Sequence, residues 1–168
     1  MALKIRTFGD PVLREKCREV EEVDEEVREL IEQMGKALAE EPGRLGLAAS
    51  QVGVLKRLFV YDLGAGVRCL INPEIIETAD EKACEEGCLS VPGVYVSLPR
   101  YGRVKARCIT PSGHRIVIEG EGLIAQLLQH ECDHMEGMLI VDRCDPEERK
   151  RALEEYQEQA IRREQATT

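Results

Sequence analysis

The hydrophobic pattern changes period several times along the chain. After Asp24, Val27, Leu30, Ile31, Met34 and Leu38 recur at helical spacing, and the run stops before Pro42 and Gly43. This predicts an amphipathic helix with Asp24 as its N-cap. Beyond Arg57 the apolar runs become short, β-branched or alternating: Leu58 to Tyr61, Arg68 to Ile71, Gly93 to Leu98, Val104 to Ile109 and Arg115 to Ile118. Gly64, Gly66, Pro92, Pro99, Gly102 and the Pro111 to Gly113 segment stand between them as turn residues, so the pattern predicts antiparallel strands. Helical spacing returns from about Gly122 to Met135, with Gly137 expected just past the helix end. Beyond Pro146, Leu153, Tyr156, Ala160 and Ile161 mark a last amphipathic helix with a charged outer face. The order helix, strands, helix predicts an α+β fold rather than a doubly wound sheet.

A chain of 168 residues suits one domain. Residues 1–146 are expected to form it, with the helix of 147–168 packed on the same domain. Lys and Arg total 23 against 32 Asp and Glu, a formal net charge of -9, so most of the surface should repel phosphate backbones. Direct DNA binding is not expected. No apolar stretch reaches the ~20 residues of a membrane span and the first ten residues hold no secretory core, so the expected location is the cytoplasm. The seven cysteines include no C-x-x-C pair, and most read as small buried hydrophobes rather than a disulfide framework.

The candidate chemistry lies in the third helix-like segment. His130 and His134 are four residues apart with Glu131 directly after the first. On a helix the two imidazoles are about 40° apart around the axis and ~6 Å apart along it, close enough to share one metal ion. Leu123, Leu127, His130 and His134 form one stripe, read as core-facing, and an imidazole pair turned inward needs a partner such as a cation. A catalytic site takes a third protein ligand and leaves a position for water. A histidine six residues past His134 is absent, since that position is Ile140. The residues by themselves leave the third ligand open between Cys88, in Glu86-Gly87-Cys88-Leu89-Ser90, and Glu147, Glu148 or Glu154 farther on. Cys132 points away from the imidazoles and reads as core packing. Asp133 is expected either to brace a ligand histidine or to be solvated, and His114 to be a solvated turn residue.

Three segments together resemble the peptide deformylase family: Gly46-Leu47-Ala48-Ala49-Ser50-Gln51-Val52-Gly53, Glu86-Gly87-Cys88-Leu89-Ser90 and Gln129-His130-Glu131-Cys132-Asp133-His134. The likeness runs from Gly9 to Arg143. It implies antiparallel strands packed around a central metal-binding helix, with flanking N-terminal and C-terminal helices. It implies that Cys88, His130 and His134 hold one divalent ion, most often ferrous iron, with zinc, nickel or cobalt as alternatives; spacing alone would suggest zinc. It implies an enzyme that removes the N-formyl group from the methionine of newly made polypeptides and releases formate. By the same likeness, hydroxide formed at the ion would attack, Glu131 would serve as general base and then acid, and Gln51 and the Leu89 N–H would stabilise the oxyanion.

Leu45, Ile124 and Leu127 are candidate walls for the methionine side chain. The segments holding Gly46 and Gly93 are candidates for pairing with an extended peptide. The ribosome, where such substrates emerge, is a candidate partner for the last helix. One departure stands out: Arg44 occupies a position where the family usually has glycine, which implies a rebuilt turn or an added cation at the pocket rim. Two competing readings are another metallohydrolase with a glutamate ligand, and a non-enzymatic protein whose ion is structural.

Overall fold

Asp24 caps the first helix as its sequence predicts: its side chain accepts the Val27 N–H at 2.9 Å, and α1 runs over Glu25–Ala39. A computed structural model describes residues 2–40 and 42–167 of the chain. Five strands follow one another in space as in sequence, every neighbouring pair antiparallel: β1 (Gly46–Ala48), β2 (Leu58–Tyr61), β3 (Arg68–Cys88), β4 (Val91–Ile109) and β5 (Arg115–Glu121). Helix α2 (Leu123–Met135) follows β5, and α3 (Pro146–Thr167) closes the chain. The α+β class is therefore as the periodicity predicted.

β2 shows how the layers are built. All four of its residues are buried, because alternate side chains leave the two faces of the strand and both faces are covered. Leu58 and Val60 join Val27, Met34 and Leu38 of α1, while Phe59 and Tyr61 join Ala125, Leu127, Leu128 and Met135 of α2. The sheet is thus held between α1 and α2, and α2, the helix carrying both histidines, is central. A third cluster gathers Val91, Val94, Val96 and Leu98 of β4 with Leu139, Ile140, Val141 and the Ala152 of α3. Tyr156 of α3 meets the Phe8 ring edge to face at 5.5 Å.

The strands are longer than the apolar runs that announced them. β3 continues from Ile71 to Cys88, and the runs Gly93 to Leu98 and Val104 to Ile109 are one strand with Pro99 and Gly102 inside it. Pro99 is tolerated because that half of β4 pairs only with β3; β5 ends opposite Arg103, where its Glu121 lies. The distal part of β3 is polar because charge pairs across the hairpin, Asp80 with Arg103 at 2.7 Å and Glu77 with Lys105 at 3.8 Å, take the place of apolar contacts. β1 had no strand signal of its own.

In α3 the expected apolar face holds for Leu153 and Tyr156, which pack with Ala152 against the third cluster, but not for Ile161, which is 54% exposed; farther along, the polar Gln159 and Arg163 make the contacts with β4. Gly137 follows α2 with φ 76°, and a side chain there would meet the Arg14 carbonyl at 2.4 Å. Among the described residues no helix is long and apolar enough to cross a membrane.

Candidate active site

α2 delivers its histidines to the foot of an open cleft of about 750 Å³, walled by β1, the β3–β4 turn and one side of the helix. The stripe that its sequence marked as core-facing is only partly so. Leu123 is 50% exposed at the mouth, Leu127 and His130 line the wall, and His134 is fully buried. Cys88 ends β3 at the turn into β4, where the register slips between Gly87 and Cys88. This turn brings a residue distant in sequence onto the helix.

Cys88 Sγ lies 3.3 Å from His134 Nε2, which lies 3.3 Å from His130 Nε2. One ligand atom from each of the three residues falls within 4.8 Å of the others, the only such group of three or more His, Cys, Asp or Glu among the described residues. Glu147 and Glu154 are exposed on α3, and the Glu148 carboxylate is engaged by the Ser97 N–H and by Arg151. None of the three joins the cluster.

The donor set fits a divalent transition ion. Burial opposes ionisation of Cys88, but the two imidazoles beside it outweigh this and hold its thiol pKa well below the usual range. His130 Nδ1 lies 2.8 Å from Glu86 Oε1, a carboxylate acceptor that places the N–H on that nitrogen and turns Nε2 toward the cluster. Glu131 is buried beside the ligands, its Oε2 has no protein partner among the described residues, and burial raises its pKa. An uncommitted buried carboxyl next to three converging donors suits a group that exchanges protons.

Behind the three converging donors stands a buried ionic network that the sequence did not announce. Arg100 donates two hydrogen bonds to Glu86, at 2.7 and 2.9 Å, and one to Asp133 at 2.7 Å. Burial would raise the Glu86 pKa, yet the hydrogen bonds from Arg100 and His130 prevail and bring it to about 2. Asp133 therefore neither braces a histidine nor meets solvent; it accepts from Arg100 and Arg143. The brace on His130 is Glu86. Strand alternation could have suggested it, since Glu86 and Cys88 are two residues apart and so share a face. Arg100 carried no such signal.

Gln51 is fixed at both ends: its Oε1 accepts the Ala48 N–H at 2.9 Å, and its Nε2 donates to Ser90 Oγ at 3.1 Å and lies 3.8 Å from Cys88 Sγ. It braces β1 and borders the ligand cluster at once. Leu89, Leu45, Gly46, Gly93 and Leu127 line the cleft, as do Tyr95 and Gln126, which the sequence did not single out. Ile124 does not join them. One residue on from Leu123, it is turned about 100° around α2 and faces a second, apolar cavity with Tyr61, Leu70 and Ile118. Arg44 lines the cleft while its guanidinium reaches back to the Ala37 carbonyl of α1 at 2.8 Å. Cys132 is buried, and burial pushes its thiol up to about 12. His114 is exposed in the β4–β5 turn, hydrogen-bonded to Ser112.

Comparison with known proteins gives a consistent result. The family profile described as polypeptide deformylase matches residues 2–150. The peptide deformylase of Clostridium botulinum (strain Alaska E43 / Type E3) is 49% identical over 144 residues, 85% of this chain and 97% of that protein. The crystal structure of a peptide deformylase from Legionella pneumophila superposes with a TM-score of 0.91 at 38% identity, covering 100% of this chain and 99% of the other. A peptide deformylase from Synechococcus elongatus, solved in complex with actinonin, gives a TM-score of 0.86 at 40% identity over 92% of this chain and 85% of the other.

Proposed function

The chain belongs to the peptide deformylase family of enzymes, and from that premise we propose that it removes the N-formyl group from the N-terminal methionine of newly made polypeptides, releasing formate. The observation that carries the reading is the meeting of Cys88, His130 and His134 at the foot of the cleft, beside the buried Glu131 carboxyl. A divalent ion held by those three residues supplies Lewis acidity and makes water a stronger acid near neutral pH. Iron(II) is our assignment, with zinc, nickel or cobalt able to replace it.

Glu131 takes the proton of the attacking water and passes it to the departing α-amine, first base and then acid. The raised pKa that burial imposes on it favours this exchange. Gln51 Nε2 and the Leu89 N–H donate to the oxygen that gains charge on the formyl carbon, each such donor typically worth ~3 kcal/mol in the transition state. The methionine side chain takes the apolar wall around Leu45 and Leu127.

Of the two segments considered for pairing with an extended peptide, β1 is the better placed. It is an edge strand whose first residue, Gly46, lines the cleft together with Leu45 just before it. By contrast, the carbonyls of Pro92, Gly93 and Tyr95 already accept hydrogen bonds from Arg163, Gln159 and Arg151 of α3. We read residues 1–146 as the catalytic domain and 147–168 as a helix packed on it, working in the cytoplasm on chains emerging from the ribosome. The test is formate release from a short formyl-methionyl peptide with and without a chelator. Release that the chelator abolishes and added iron(II) restores is expected; no release by iron-loaded protein would overturn the reading.

A further inference from the structure

We propose that Arg143, a residue outside the cleft, is a positioning residue that sets how firmly the site holds its metal ion. It does so by anchoring a chain of charged hydrogen bonds that ends on His130. This rests on the reading of Cys88, His130 and His134 as the ligands. The chain is continuous. Arg143 Nη2 donates to Asp133 Oδ1 at 2.8 Å, and its Nε to Oδ2 at 3.3 Å. Asp133 Oδ2 also accepts from Arg100 Nη1 at 2.7 Å. Arg100 grips Glu86 with its other two donors, and Glu86 Oε1 receives His130 Nδ1 at 2.8 Å. Four residues of alternating sign thus join β3, β4, α2 and the segment before α3.

The charge count explains why the outer member matters. Glu86, Arg100 and Asp133 are all buried, and by themselves would place two carboxylates around one guanidinium. Arg143 makes the set neutral. Without it, Asp133 would keep a full claim on Arg100, in competition with Glu86, in surroundings too dry to screen either charge. Weaker hold on Glu86 loosens the contact that fixes the His130 ring. His134 offers no substitute, since its buried Nδ1 has no protein partner among the described residues. Meanwhile the Arg143 side chain is 44% exposed, so its charge can be changed without emptying the core.

The experiment follows release of cobalt(II) from the loaded protein to a chelator, with the visible d–d bands reporting ligand geometry. Arg143→Gln should release cobalt about tenfold faster, within the range typical for changes behind a metal ligand. Arg143→Lys should recover most of the difference, because it restores the charge. Adding Asp133→Asn to Arg143→Gln should also recover it, because Glu86 then has Arg100 to itself; a role in stability alone would make that double variant worse. Arg149→Gln is the control. Arg149 is exposed to a similar degree, 43%, but pairs with Asp142 and stands outside the chain, so its loss should leave release unchanged. Wild-type release by Arg143→Gln, equal acceleration by Arg149→Gln, or a double variant no slower than Arg143→Gln would each overturn the proposal. A wild-type protein that neither retains cobalt nor deformylates would overturn the metal-site reading along with it.

Discussion

Gly46 and Glu131 approach so closely that a Cβ on residue 46 would lie 2.6 Å from Glu131 Oε1, and 2.7 Å from Leu127 Cδ1. Hydrogen at this position of β1 is what lets the edge strand lie against the proposed base. Gly46→Ala should push the carboxylate or the strand aside. Since a displacement of ~1 Å in a reacting geometry can cost about 10²-fold, we expect kcat/KM to fall by about that factor. Bound metal, measured by elemental analysis, should be unchanged, because Glu131 is not a ligand. Full activity in this variant would contradict the role given to Glu131.

Replacing Glu131 itself separates proton transfer from metal binding. Glu131→Gln keeps the shape and removes the base, so kcat should drop by about 10²–10⁴-fold, the usual worth of a positioned general base. Metal content should stay near that of the wild type. Equal turnover of formyl-methionyl peptide by the two proteins would reject the mechanism.

The proposed metal ligands make a different prediction. Cys88→Ser exchanges a soft thiolate for a hydroxyl that stays protonated, so metal should be lost during dialysis and activity with it. Protein prepared without oxygen should contain about one equivalent of iron. Its activity should decay in air, because ferrous iron beside a thiolate is open to oxidation; activity confined to the zinc form would refute the assignment of iron.

Asp142 supplies a pH test of stability away from the chemistry. Burial raises its pKa, but the Leu139 N–H and the guanidinium groups of Arg14 and Arg149 outweigh this, and the net shift is downward. A carboxyl depressed in the folded state stabilises it above the unfolded pKa of about 3.9, and that contribution fades as pH falls through the folded value. Asp142→Asn should therefore melt below the wild type at pH 7, by about 2–4 °C for a loss of ~1 kcal/mol. The gap should narrow as pH falls below about 4; a gap that stays constant through the acid range would show that the charge is not its source.

The histidine helix was legible because its signals are local. Spacing places His130 and His134 on one side of a helix wherever that helix lies, and Gly137 stops it at the expected point. The same holds for α1, whose N-cap and apolar stripe agree. β3 was legible for only its first four residues, because beyond Ile71 its strand character comes from pairing with β4 rather than from its own composition. Ile124 was misjudged for a related reason: an apolar residue on a helix between two cavities does not declare which one it faces.

By itself the sequence determined the class of elements, the helical spacing of His130, Glu131 and His134, and, through three motifs in register, the family. These depend on residue types at short separations, where the backbone repeat dictates geometry. The likeness already implied Cys88 as the third donor; only the tertiary structure brings it beside the two imidazoles and leaves the glutamates of α3 away from them, sets Glu86 against His130, and places Arg100 and Arg143 on the carboxylates behind it. Those residues lie far apart along the chain. Their meeting is fixed by the β3–β4 register and by the packing of α2 on the sheet, which no short-range pattern encodes.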